Sequence, residues 1–121
     1  MTAAAARADT LNLMEYRLED GVSDEALAEA SAPISAWAAT RPGFRYRSVT
    51  RRADGTVTDL MYWADPASMQ AADADFMPSG CGARLLPLMV EGPFRAESMP
   101  VLDARMGMTT AEADAAAAAA A

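Results

Sequence analysis

The apolar and polar positions divide the chain into alternating strand-like and helix-like stretches. Residues 11–18 alternate: Leu11, Leu13, Glu15 and Arg17 fall on one face, and Asn12, Met14, Tyr16 and Leu18 on the other, which predicts a first strand. Asp20-Gly21 breaks it. Ser23 is a good N-cap, with Asp24 and Glu25 in the first turn behind it, where negative charge suits the helix dipole. Leu27, Ala30, Ile34 and Trp37 then recur at helical spacing. Pro33 lies inside this pattern and predicts a kink or a split near Glu29. Arg41-Pro42-Gly43 ends the helix.

Phe44 to Arg52 and Val57 to Trp63 read as a second and third strand joined at Asp54-Gly55, a hairpin signal. Asp65-Pro66 opens a second helix with an Asp cap and proline at its first position. Met69, Ala72 and Phe76 form its apolar stripe, and Pro78-Ser79-Gly80 interrupts it. Ala83 to Val90 is expected to hold a further helical turn or two, limited by Pro87, and Phe94 to Leu102 reads as the last strand.

The order β-α-β-β-α-β predicts an α+β, ferredoxin-like domain. Its four-stranded antiparallel sheet would run 4-1-3-2, with both helices on one face. The other face is left uncovered, and a second sheet packed against it in a homodimer would cover it. The folded body is expected over residues 10–103, after a flexible segment at 1–9 and before an Ala-rich tail at 104–121. That tail either continues as a helix from Thr110 or is disordered, since alanine favours helix but so short a helix is marginal in water.

Charge and residue usage narrow the chemistry. The net charge is −7, which argues against a general nucleic-acid binder, since phosphate binding needs a basic face. Cys81 is the single cysteine, so no intramolecular disulfide forms. The start of the chain lacks the pattern of a signal peptide and no stretch is apolar and long enough to span a bilayer. The expectation is a cytoplasmic protein. There is no histidine, which removes the usual general acid or base, the commonest zinc ligand and the usual proximal haem ligand. No metal or cofactor is expected.

Several segments resemble a known superfamily. Thr58-Asp59-Leu60-Met61-Tyr62-Trp63-Ala64-Asp65 is similar to the third strand and helix start of dimeric α/β-barrel proteins, and Arg41-Pro42-Gly43-Phe44 to the start of their second strand. Met14 to Leu18 and Phe76-Met77 through Cys81 also look similar. The resemblance spans Leu11 to Leu102 and points to the antibiotic-biosynthesis-monooxygenase-like group. It implies a homodimer whose two sheets form a barrel with the helices outside. It also implies a pocket between sheet and helices, which in some members holds a polycyclic aromatic substrate or haem. Haem-degrading members use an asparagine on the first strand, a tryptophan ending the third and a histidine on or after the second helix. Trp63 matches the tryptophan, Tyr16 stands at the asparagine position, and the histidine is missing, so haem ligation in that manner is not implied.

The candidate pocket residues are Met14, Tyr16, Met61, Trp63, Phe76 and Cys81. Tyr16 and Trp63 read either as a flat aromatic wall for a planar ligand or as ordinary core. The methionines read as lining an adaptable cavity or as filling core gaps. Cys81 reads as a reactive thiol near Arg84 or as an inert one. Arg45, Arg47, Arg51 and Arg52 have three readings: an anion patch, charge that protects an edge strand, or salt bridges across the dimer. Asp59 lies on the face of Trp63 and reads as a base or as the partner of an arginine across the dimer. The functional expectation is a homodimer with an apolar small-ligand pocket. The alternatives are a cofactor-independent monooxygenase acting on an aromatic, polyketide-like substrate, and a structural dimer without ligand.

Overall fold

A computed structural model describes residues 9–92, 94–105 and 110–120. The elements follow as β1 (Thr10–Tyr16), α1 (Asp24–Ala39), β2 (Phe44–Arg51), β3 (Val57–Trp63), α2 (Pro66–Ser79), a single 3₁₀ turn (Leu86–Leu88), β4 (Arg95–Pro100) and α3 (Thr110–Ala120). The sheet is antiparallel in the order β2-β3-β1-β4, the arrangement expected from the sequence. Both caps also form: Ser23 Oγ accepts from the Ala26 N–H at 3.0 Å, and Asp65 Oδ1 accepts from the Ser68 N–H at 2.7 Å. The latter bond holds the Asp65 carboxyl below its ordinary range.

Three expectations are corrected. Helix α1 runs unbroken through Pro33. Proline removes the bond to the Glu29 carbonyl, but Glu29 is exposed, so water satisfies that group. The segment 83–90 holds the expected short helical stretch as a single 3₁₀ turn that includes Pro87. Strand β1 stops at Tyr16 because the chain beyond it pairs elsewhere. Leu18 bridges Met89, the Val90 N–H donates to the Arg17 carbonyl at 3.0 Å, and the Glu19 N–H donates to the Leu88 carbonyl at 2.8 Å. At the other end, Asp9 belongs to the folded body although the expected boundary left it out. It is buried, its carbonyl accepts from Val101 at 2.9 Å, and its carboxylate pairs with Arg45. The rest of the expected flexible segment, residues 1–8, lies outside the described residues.

The core fills the space between the sheet and the two helices. Tyr16, Val57, Met61 and Trp63 rise from the sheet, Leu27, Ala30, Ile34 and Ala38 descend from α1, and Met69 and Ala72 descend from α2. Burying a large apolar side chain stabilises by about 1.5–3 kcal/mol, and Trp63 and Val57 are buried outright. Two glycines fix the surroundings of α2. Gly43 has φ 81°, and a Cβ there would meet Ser68 Oγ at 2.3 Å, so the turn before β2 lies against the first turn of α2. Gly80 caps the end of α2 with φ 73°.

The opposite sheet face carries Leu11 and Leu13 from β1, Leu60 and Tyr62 from β3, and Tyr46 from β2, as the strand register requires. A bulge at Arg45 puts Tyr46 beside Tyr62, with ring centroids 6.0 Å apart. Neither α1 nor α2 covers this face. Along it, Glu15 is held by Arg95 at 3.2 Å and by Arg52.

Candidate functional site

The sheet-to-helix layer is not filled throughout. A cavity of about 330 Å³ lies under α2. Its floor is Asn12, Met14 and Tyr16 from β1 with Asp59, Met61 and Trp63 from β3. Period-two alternation explains the set, since every second residue of each strand faces the helices. The walls are Ile34 and Trp37 of α1 and Ala72, Asp73 and Phe76 of α2. The segment Leu85–Met89, held down on the end of β1, closes one end, and Phe94 and Ala96 stand at the opening. Phe94 and Leu86 are exposed there. A wider depression of about 680 Å³ lies outside α2 around Ala67, Ala71 and Asp75. Arg41 and Asp75, the charged groups lining it, are already bonded to each other at 3.0 Å.

Aromatic contacts hold the walls. Phe44 meets Trp63 edge-on with centroids 5.7 Å apart, and Trp37 meets Phe76 in the same way at 5.8 Å. Such pairs add about 0.5–1.5 kcal/mol beyond burial. Gly82 lets Phe76 sit low, because a Cβ at that position would meet the ring at 2.7 Å.

Two polar atoms in this mostly apolar surround have no partner among the described residues. The Tyr16 hydroxyl and the Trp63 Nε1–H are both buried and make no hydrogen bond. A buried donor without an acceptor costs about 1–3 kcal/mol, and native proteins rarely leave one so. The two lie toward opposite ends of the floor, since Tyr16 is paired with Val57 and Trp63 with Thr10. Burial, with the Asp59 carboxylate nearby, pushes the Tyr16 phenol well above its ordinary value of 10.0, so it remains a neutral donor at physiological pH.

Asp59 is engaged within its own chain. Arg47 Nε donates to Oδ1 at 3.1 Å and Nη2 to Oδ2 at 2.7 Å. Arg47 Nη1 donates to Ser31 Oγ at 2.7 Å, the Ser31 carbonyl at 3.2 Å and Ser35 Oγ at 2.8 Å. The Arg47 and Asp59 side chains are 2% and 7% exposed. This corrects the expectation of a bridge across a dimer: the partner of Asp59 is Arg47, on the neighbouring strand. Arg51, on the same face of β2, donates to the Val22 carbonyl at 2.8 Å and pairs with Asp24 at 3.2 Å. Arg47 and Arg51 thus fasten α1 to the sheet.

Of the six candidates from the sequence, Met14, Tyr16, Met61, Trp63 and Phe76 line the cavity. Cys81 does not. It packs partly buried beside the core, with its N–H donating to Ser79 Oγ at 3.1 Å. Sequence reasoning missed Asn12, Trp37 and Asp73. Asn12 was signalled by its alternation with Met14 and Tyr16, and Asp73 by its place three residues before Phe76 on α2. Among the described residues no three His, Cys, Asp or Glu side chains come together to hold a metal ion, and no helix is long and apolar enough to cross a membrane.

No family model matches the sequence, and no curated protein matches it. Solved structures do share its fold. A monooxygenase from the gene ActVA-Orf6 of Streptomyces coelicolor, in complex with Nanaomycin D, superposes with TM-score 0.65 at 18% identity, covering 86% of this chain and 96% of that one. A variant of SnoaB, a cofactor-independent oxygenase from Streptomyces nogalater, gives 0.64 at 16% over 79% and 95%. A dimeric ferredoxin-like protein of unknown function from Jannaschia sp. CCS1 gives 0.62 at 16% over 78% and 100%. The sheet order, the helix placement and these superpositions together give the chain a ferredoxin-like fold.

Proposed function

We propose that this protein is a homodimer whose subunits each bind a planar, oxygen-bearing aromatic molecule in the cavity, and that the site carries out cofactor-independent oxygenation of it. The observation that carries this reading is the pair of buried donors without partners among the described residues, Tyr16 Oη–H and Trp63 Nε1–H, in a mostly apolar enclosure. A ligand with acceptor oxygens toward both ends would satisfy them, and its ring system would lie along Met14 and Met61 between the aromatic walls. Such a flat, mostly apolar site with a few fixed polar groups is the usual form of a small-molecule pocket. The Nanaomycin D complex and the cofactor-independent oxygenase of the same fold support the choice of ligand class and chemistry. In this reading the aromatic substrate itself supplies the electrons to dioxygen.

The uncovered sheet face supports the dimer. Leu11, Leu13, Leu60 and Tyr62 form an apolar surface flanked by the Glu15–Arg95 pair, and a second copy would bury it. Light scattering should give twice the 12.7 kDa chain mass. The single cysteine and the acidic balance support a cytoplasmic protein that does not act on nucleic acid.

The test of the site is a binding titration with anthraquinone followed by quenching of tryptophan fluorescence, paired with oxygen uptake on a panel of aryl hydroquinones. Saturable binding at one per chain is expected, weakened about tenfold by Trp63→Phe, the loss of one buried hydrogen bond. Absence of saturable binding would remove the reading. Binding without oxygen uptake across the panel would leave a ligand-binding protein and remove the oxygenase.

A further inference from the structure

We propose that Asp73 is the catalytic base of this site and that the ligand it serves carries an ionisable aromatic hydroxyl, an inference that rests on the cavity reading above. The chain has no histidine, so a proton acceptor must come from the other ionisable groups lining the cavity, which are Tyr16, Asp59 and Asp73. Tyr16 is a neutral phenol and a donor. Asp59 has both oxygens bonded to the Arg47 guanidinium, so its carboxylate is already committed to that pair. Asp73 has no hydrogen bond or ion pair among the described residues, while the next acid on its helix, Asp75, is taken by Arg41.

Its position suits the role. Asp73 adjoins Ala72 and precedes Phe76 by one helical turn, so it hangs over the same space as the ring of Phe76. It is also open to solvent on its outer side, which gives an accepted proton a way out to water. Partial removal from water raises its carboxyl above the ordinary value. The charged and titratable groups facing this space are few: Tyr16 from β1, and Asp59 with its Arg47 from β3 and β2. The α1 wall presents Ile34 and Trp37, and the opening presents Phe94 and Ala96, none of which titrates.

The step is a proton transfer. The O–H bond of the ligand hydroxyl breaks, the proton goes to an Asp73 carboxylate oxygen, and the electron pair stays on the aryl oxygen as an aryloxide. The Trp63 N–H, the Tyr16 hydroxyl and the Asn12 amide are donors among the lining residues that can hold negative charge spreading onto the ligand's oxygens.

Two measurements on the full chain test this. The first uses 2-hydroxyanthraquinone, whose visible spectrum reports ionisation, with plain anthraquinone as a control. Asp73→Asn should leave anthraquinone affinity unchanged. It should lower the pH of half-ionisation of the bound hydroxy probe by about one unit, because a carboxylate beside an aryloxide opposes its formation at equilibrium. Identical ionisation in both proteins would overturn the proposal while the binding reading stands; failure of either probe to bind would overturn both. The second is oxygen uptake against pH. Asp73→Asn should lower kcat by about 10²–10⁴-fold with KM little changed, and the fall in wild-type rate at acid pH should disappear. Asp73→Glu should restore part of the rate. A variant rate within twofold of wild type overturns the proposal.

Discussion

The layer between sheet and helices has two halves built on opposite principles. Under α1, next to β2 and β3, it is closed. Leu27, Ala30 and Val57 are buried there with almost no exposure, and every nitrogen of the Arg47 guanidinium is used, on Asp59, Ser31 and Ser35. Under α2, over β1 and β3, it is open, with a 330 Å³ cavity and two buried donors that have no partner among the described residues. The contrast shows where the fold keeps its stability and where it leaves room for chemistry. One half is a satisfied network that fixes the floor, and the other is a set of unmet groups on that floor. Asp59 belongs to both, as a member of the network and as part of the cavity wall.

The largest expected effect breaks the closed half. Asp59→Ala leaves the Arg47 guanidinium buried without its carboxylate, and removing one member of a buried pair costs about 3–5 kcal/mol. Urea unfolding should show the midpoint falling accordingly. Replacing the pair together, Arg47→Met with Asp59→Leu, should cost much less or nothing, because an apolar pair carries no desolvation penalty. If the single and double variants lose the same stability, the network is not what holds this half together.

The sequence made the two halves unequally legible. Alternation along 11–18 and 57–63, the Asp54-Gly55 turn, and the Ser23 and Asp65 caps specify the topology and the residues that face the helices, because these signals are local. The cavity floor followed from the same alternation, which is why Met14, Tyr16, Met61 and Trp63 could be named together. The Arg47–Asp59 bond was less accessible. Both members stand in the sequence, and the hairpin brings their strands side by side, yet a strand-two arginine reads equally well as edge protection until α1 is seen to cover it. Asp73 was hidden for a different reason. An acid on an amphipathic helix is ordinarily solvated, and only the empty space beneath α2 makes it part of a site. Cys81 was drawn in by its nearness to Phe76 in sequence, but Gly80 turns the chain away after α2.

A second expected effect sharpens the contrast from the open side. Ala96 is exposed at the opening of the cavity and pairs with Met14 across the strands. Ala96→Leu places a branched side chain into space that nothing occupies, so stability should stay within about 1 kcal/mol. Anthraquinone affinity should fall about 100-fold, as the added volume competes with the ring. The equivalent enlargement in the closed half, Ala30→Leu, should cost about 1–3 kcal/mol, since overpacking a filled core forces side chains from their rotamers. Equal costs at the two positions would mean that the cavity does not persist in solution.

The smallest effect separates the two principles within one residue. Tyr16→Phe removes a buried hydroxyl that has no partner, so the unliganded protein should gain rather than lose stability, by about 1 kcal/mol. In the ligand-bound protein the same change removes a hydrogen bond and should weaken binding about tenfold. The two signs are opposed, and a residue that served packing alone would move neither in this way. The pH dependence follows the same logic. The folded-state phenol is raised above its unfolded value of 10.0, so the folded protein holds its proton where the unfolded chain has lost it. Stability from this group is complete below about pH 10 and falls as pH rises beyond it. Tyr16→Phe should therefore flatten the alkaline limb of a thermal-unfolding series, with Tyr62→Phe as a control on the other sheet face. An alkaline limb that survives Tyr16→Phe unchanged would place the titrating group elsewhere and with it remove the argument that this hydroxyl waits, buried and unpaired, for a ligand.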